Sequence, residues 1–105
     1  TLDTKFSLAS LGKMFTAVAV LRLADQGKLS LSDAVGKHLP DYPNKEVASK
    51  VTIEQLLTHT SGMGDFFGEK WNELRDEIRT VDDHVAIFAT DGLAFEPGTG
   101  WKYSN

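Results

Sequence analysis

The chain has 105 residues, which suits one domain with a single modest core. Hydrophobic residues make up 41% and charged residues 25%, values that argue against intrinsic disorder, and 11 basic against 15 acidic residues give a net charge of -4 with no strongly basic stretch, so nucleic acid is not an expected partner. No apolar run approaches the ~18 residues of a membrane span, and the lack of cysteine excludes disulfides, thiolate metal sites and cysteine catalysis.

Residues 1–9 alternate loosely and read as an extended approach segment, and the opening TLDTKFS has neither the basic start nor the apolar stretch of a signal peptide. From Ser10 onward, Leu11, Met14, Phe15, Val18 and Leu21 recur at three- and four-residue steps, which predicts a helix over 10–26 with an apolar stripe. Gly27 falls where a left-handed C-terminal cap belongs. Ser32 predicts the N-cap of a short helix holding Ala34, Val35 and Leu39, closed by a turn-rich loop around Pro40 and Pro43. Thr52 and Gln55 fit a capping box ahead of Ile53, Leu56 and Leu57, and His59-Thr60-Ser61-Gly62-Met63-Gly64 ends that helix as a glycine-bearing turn. Trp71, Leu74 and Ile78 predict a helix over 69–79. Thr80 caps another, with Val81, Val85, Phe88 and Ala89 inward and Gly92 past its end. Phe95 to Gly100 is a loop leading into Trp101-Lys102-Tyr103-Ser104-Asn105. The expectation is a mainly α chain with almost no strand, forming one partial domain over 1–105: the approach segment 1–9, the helix 10–26, and a helical and loop region 27–105.

Two pairs of residues suggest chemistry. Ser10 and Lys13 are three apart and share a helix face. A serine hydroxyl needs a neighbouring base to become a nucleophile, and a lysine amine serves when burial or a nearby cation makes it neutral. A helix N-terminus also favours negative charge on a developing oxyanion. Tyr103 near an ammonium can relay a proton, and Asn105 offers both a donor and an acceptor to a substrate amide. Each pair alone also fits plain structure: a serine N-cap with a helical lysine, a tyrosine on a core edge, an asparagine in a turn.

Other polar residues read as structural. His59 beside Ser61 suggests a Ser–His pair, but no acidic partner is placed and Ser61 lacks a nucleophile-elbow context, so a hydrogen-bonded turn fits better. His38 and His84 stand apart, without metal-ligand spacing. Asp82 and Asp83 complement a helix N-terminus. Phe66, Phe67 and Trp71 suit core packing ahead of a substrate-facing edge. Gly12 costs about 1 kcal/mol against alanine inside a helix, a cost that close packing beside Ser10 would explain.

Together, Ser10-Leu11-Gly12-Lys13 at a helix start and Tyr103-Ser104-Asn105 after Phe95-Glu96-Pro97-Gly98 resemble the serine β-lactamase and penicillin-binding-protein superfamily. The branch is that of class C β-lactamases, DD-peptidases and related esterases. Phe6 to Lys13, Gly27 to Asp33 and Val51 to Gly62 also resemble this branch, in the same order. The resemblance implies the helical region of an α/β (α+β) β-lactamase/transpeptidase-like fold whose antiparallel sheet is largely missing from this chain. It implies that Ser10 is the acyl-accepting nucleophile and that Lys13 assists its deprotonation. Tyr103 would be the general base, Asn105 would hold the substrate's amide, and the Ser10 backbone N–H would be one oxyanion donor, with no metal or cofactor. The substrate would be a small molecule or peptide: a β-lactam, a D-amino-acid peptide or a carboxylic ester. A third family motif, Lys or His then Ser or Thr and Gly on a central strand, is expected after Asn105. His59-Thr60-Ser61-Gly62 is not that motif, since it follows a capped helix and matches a family turn. The expectation is therefore an internal piece of a larger enzyme, inactive alone, whose exposed apolar faces pack on the rest of the parent or self-associate. The alternative is a non-hydrolytic penicillin-binding or sensor domain that traps its acyl group. A free-standing helical bundle would require every motif to be coincidence.

Overall fold

Seven helical segments and no strand carry the chain in a computed structural model that describes residues 1–105. Two isolated antiparallel bridges, Ala34–Thr52 and Met63–Leu93, are the only strand-like pairings. The expectation of a mainly helical chain holds. The chain divides into two compact units, Thr1–Ser30 and Leu31–Asn105.

The first unit is one helix and its approach. A 3₁₀ turn, Ala9–Leu11, runs into helix α1, Gly12–Asp25. The end of α1 is set by Gly27, at φ 69. Its N–H donates to Ala24 O at 2.9 Å and the Lys28 N–H donates to Leu23 O at 2.9 Å, the paired bonds of a Schellman cap. The stripe of Leu11, Met14, Phe15, Val18 and Leu21 forms as predicted but stays exposed, each residue at 49% or more. A unit made of one helix has no second face of its own on which to bury that stripe.

The second unit holds the core. It contains α2 (Val35–His38), α3 (Lys45–Lys50), α4 (Ile53–Leu57), α5 (Glu69–Leu74) and α6 (Val81–Phe88). Val35, Tyr42, Val47, Ala48, Val51 and Ala89 are buried together, with Met63, Val85 and Leu93 packed against them. Helix α3, at the centre of this core, is not among the predicted elements. Asn44 caps it, its side chain accepting from the N–H groups of Glu46 at 3.0 Å and Val47 at 3.2 Å. Val47 and Val51, one turn apart, are 1% and 0% exposed.

Ser32 is not the N-cap of α2. Ala34 holds that position in extended conformation with no side-chain cap. The backbone from Leu31 to Val35 is committed instead to the segment before and within α4: Val35 N–H to Val51 O at 2.8 Å, Ile53 N–H to Asp33 O at 3.1 Å and Glu54 N–H to Leu31 O at 2.9 Å. These long-range bonds outweigh a local serine cap. Helix α4 carries the predicted Thr52–Gln55 capping box, and α6 carries one between Thr80 and Asp83. The Asp83 carboxyl lies below the ordinary range because the N–H of Arg79 and the hydroxyl and N–H of Thr80 hydrogen-bond it. Two further predicted elements need correction. Helix α5 stops at Leu74 rather than continuing to 79, since Arg75-Asp76-Glu77 offer no apolar contact to sustain another turn. Val81, at the start of α6, is 77% exposed, while Ile87 near its end and Ala89 just past it are buried, so only the C-terminal half of that helix reaches the core.

The packing of α2 on α3 depends on Gly36. A Cβ there would stand 2.8 Å from the backbone oxygen of Ala48. Gly36→Ala is expected to lower stability by about 1–3 kcal/mol, the range for overpacking a formed core. Chemical denaturation measures this, and an unchanged midpoint would mean that α2 and α3 separate without cost.

Candidate active site

At the start of α1, Lys13 Nζ donates a hydrogen bond to Ser10 Oγ at 3.2 Å. The 3₁₀ turn places Ser10 at the surface, and the first turn of α1 carries the half-buried Lys13 back over it. The pair is thus formed as its spacing predicts. A cation beside a hydroxyl stabilises negative charge that develops on the oxygen. Ala9, just before Ser10, has φ 45. This left-handed conformation costs a non-glycine residue on the order of 1–3 kcal/mol, and such strain clusters at functional sites. Nothing in the sequence signals it, because alanine is not a residue of left-handed turns. Gly12 does not pack closely as expected: a Cβ there would meet nothing within 4 Å.

Tyr103, Ser104 and Asn105 lie in the second unit, where the chain returns to the turn that follows α4. His59 sits in that turn at φ 59. Its carbonyl accepts from the Lys102 N–H at 3.0 Å and its Nδ1 accepts from the Ser104 N–H at 3.3 Å. The His59 and Tyr103 rings lie 4.6 Å apart, tilted by 33°. Ser104 Oγ donates to Gly64 O at 2.6 Å. Asp65 Oδ2 accepts from both the backbone N–H of Asn105, at 3.1 Å, and its side-chain Nδ2, at 2.8 Å.

Burial raises the Asp65 carboxyl, but the hydrogen bonds from Phe67, Asn105 and Phe66 together outweigh it and leave the group below its ordinary value. An ionised Asp65 can only accept, so it turns the Asn105 amide nitrogen toward itself. Asp65 is not among the residues singled out from the sequence. Its only local signal is an Asx turn, in which Oδ1 accepts from the Phe67 N–H at 3.1 Å.

Beside Asn105 runs an open groove of about 400 Å³ whose wall includes Val81, Val85, Phe88, Arg79 and His84. His84 is not isolated, as the sequence suggested. Its ring lies 4.3 Å from Phe66 and 5.4 Å from Trp71. Phe66 and Trp71 pack edge to face at 5.0 Å, within one aromatic cluster. His38 bonds Asp33 at 2.9 Å.

Comparison with known proteins gives the class first. Penicillin-binding protein 4* of Bacillus subtilis is 40% identical over 108 residues, covering 98% of this chain and 23% of its own. Esterase EstB of Burkholderia gladioli is 38% identical over 115 residues, covering 97% of this chain and 29% of its own. The crystal structure of a D-stereospecific amidohydrolase from Streptomyces sp. superposes with a TM-score of 0.77 at 33% identity, over 94% of this chain and 33% of that one. The chain therefore spans a third or less of these relatives. These similarities place the chain in the serine β-lactamase and penicillin-binding-protein superfamily. The beta-lactamase family model matches residues 1–105, and the chain belongs to that family.

Proposed function

We propose that the whole protein carrying this chain is a serine hydrolase that works through a covalent acyl-Ser10 intermediate. The observation that supports this most directly is the hydrogen bond from Lys13 to Ser10 at 3.2 Å. In acylation, Ser10 Oγ attacks the substrate carbonyl carbon while its proton passes to Tyr103, with Lys13 assisting the deprotonation. The Ser10 N–H donates to the oxyanion. The bond from carbonyl carbon to leaving group then breaks, and the departing nitrogen or oxygen takes the proton. In deacylation, water, activated with the help of Tyr103, attacks the acyl group, releases the acid and returns a proton to Ser10. Asn105 holds the substrate's amide or equivalent group. No cofactor is needed for these steps.

The substrate class is a β-lactam, a D-amino-acid peptide or a carboxylic ester. A penicillin-binding protein, an esterase and a D-stereospecific amidohydrolase are all among the relatives, and one acylation chemistry serves all three substrates. The second reading, a sensor that acylates without turning over, draws on the similarity to a penicillin-binding protein.

Intact mass spectrometry of the whole protein, before and after incubation with a penicillin and with an activated ester, tests both. The expected result is an adduct on Ser10 that decays as product accumulates. A stable adduct selects the sensor, and no adduct with either reagent removes the acyl-enzyme.

A further inference from the structure

We propose that His59 is a positioning residue for Tyr103: its imidazole, as the Nε2-protonated tautomer, holds the Tyr103–Ser104 backbone and sets the plane of the phenol. The inference rests on the reading of Tyr103 as a proton-transfer group. The turn around His59 is already closed by main-chain bonds. Thr60 N–H donates to Gln55 O at 3.0 Å, Gly98 N–H to Thr60 O at 2.8 Å and Ala94 N–H to Gly62 O at 2.7 Å. None of these uses the imidazole.

The imidazole instead reaches across 45 residues of sequence to the Ser104 N–H. A backbone N–H can only donate, so Nδ1 must be bare and the proton must sit on Nε2. The ring then lies against Tyr103, with centroids 4.6 Å apart and a tilt of 33°, and meets Trp101 nearly edge-on at 6.2 Å. The backbone is set to make this reach. At φ 59 the side chain leaves the turn from the left-handed region, where histidine, asparagine and aspartate are enriched among non-glycine residues. Tyr103 is 41% exposed and lies between Lys102 and Ser104, the two residues whose N–H groups His59 holds. A proton-transfer group displaced by about 1 Å loses on the order of 10² in rate.

Two variants and one spectrum test this on the whole protein. His59→Gly keeps the left-handed backbone and removes the acceptor and the ring. His59→Asn keeps the backbone and places an amide oxygen where Nδ1 was. Acylation by a penicillin or an activated ester is expected to fall by about 10- to 100-fold in the glycine variant. It is expected to recover most of that loss in the asparagine variant, with denaturation midpoints compared in parallel. Equal rates in the glycine variant and the wild type overturn the proposal, as do equal losses in both variants. The spectrum needs no variant to fold: long-range ¹H–¹⁵N correlation on histidine-labelled wild type should show His59 with a bare Nδ1 and a protonated Nε2, and the opposite tautomer overturns the proposal. Tyr103→Phe separates the two readings. An unchanged rate there sinks the proton-transfer role of Tyr103. A fall there, with none in His59→Gly, sinks the positioning role alone.

Discussion

Ser10→Ala is expected to abolish covalent labelling of the whole protein while leaving its fold intact, and Lys13→Ala to slow acylation by about 10²–10⁴, the range for loss of a positioned proton-transfer group. The side chain of Ser10 is not needed by its own backbone. The 3₁₀ turn is closed by main-chain bonds, Leu11 N–H to Leu8 O at 3.0 Å and the Gly12 N–H to Ala9 O and Ser10 O. Alanine keeps those bonds and removes the hydroxyl proposed to attack, together with its contact to Lys13. Retained label on the variant would place the nucleophile elsewhere. Lys13 is a sharper case, because its 3.2 Å contact with Ser10 suits either a charge role or a proton role in the proposed mechanism. Lys13→Arg distinguishes them, since arginine keeps the charge and does not give up its proton. Stopped-flow acylation rates that fall equally in the alanine and arginine variants indicate proton transfer, and partial recovery with arginine indicates charge. A near-normal rate in Lys13→Ala removes the lysine from the mechanism.

The parts of the fold that the sequence displays are those governed by neighbours along the chain. The stripe of α1, its Gly27 cap and the Thr52 and Thr80 capping boxes are all local arrangements, decided within about one turn of helix. Helix α3 is local too. Asn44 followed by Val47, Ala48 and Val51 is a readable start, hidden by the two prolines just before it, which suggest a longer loop. What sequence reasoning could not supply is the competition between Ser32 as a cap and the segment at 51–54 as a pairing partner. That choice is made by bonds between residues about 20 positions apart. The same limit explains Val81, whose place on a helical face says nothing about how far along α6 the core extends.

The candidate site divides in the same way. Ser10 and Lys13 are legible because helical spacing alone brings their side chains together. Tyr103 and Asn105 are legible only as a motif, for nothing local fixes either one. Their surroundings, His59 against the tyrosine and Asp65 on the asparagine, come from a turn more than 35 residues away in sequence. A hydrogen-bonded turn is the correct reading of His59 as far as it goes, since its backbone does hold a turn, but its ring faces a segment that the turn's own sequence does not mention.

Gly62→Ala should be the most damaging single methyl in this chain. Gly62 lies at φ 76, and a Cβ there would stand 2.1 Å from the backbone oxygen of Phe95. Left-handed backbone costs an L side chain roughly 1–2 kcal/mol, and forcing an extra methyl into a formed interior costs about 1–3 kcal/mol more. The clash cannot be relieved by rotating a side chain, because its partner is a carbonyl in the main chain. Nor can Gly62 itself withdraw, since its own carbonyl accepts from Ala94 at 2.7 Å beside the Met63–Leu93 bridge. The expected loss is therefore about 3 kcal/mol or more on chemical denaturation. Gly64→Ala is the matched control. It is two residues along the same turn, it has nothing within 4 Å of its Cβ position, and it should change stability by no more than about 0.5 kcal/mol. Because Gly64 O and Asp65 hold Ser104 and Asn105, displacing the turn at Gly62 should also slow acylation, linking the packing of this turn to the placement of the tyrosine segment. Equal stability in the two variants would mean that the Phe95 carbonyl yields freely, and the turn could not then be the rigid support on which Tyr103 and Asn105 are held.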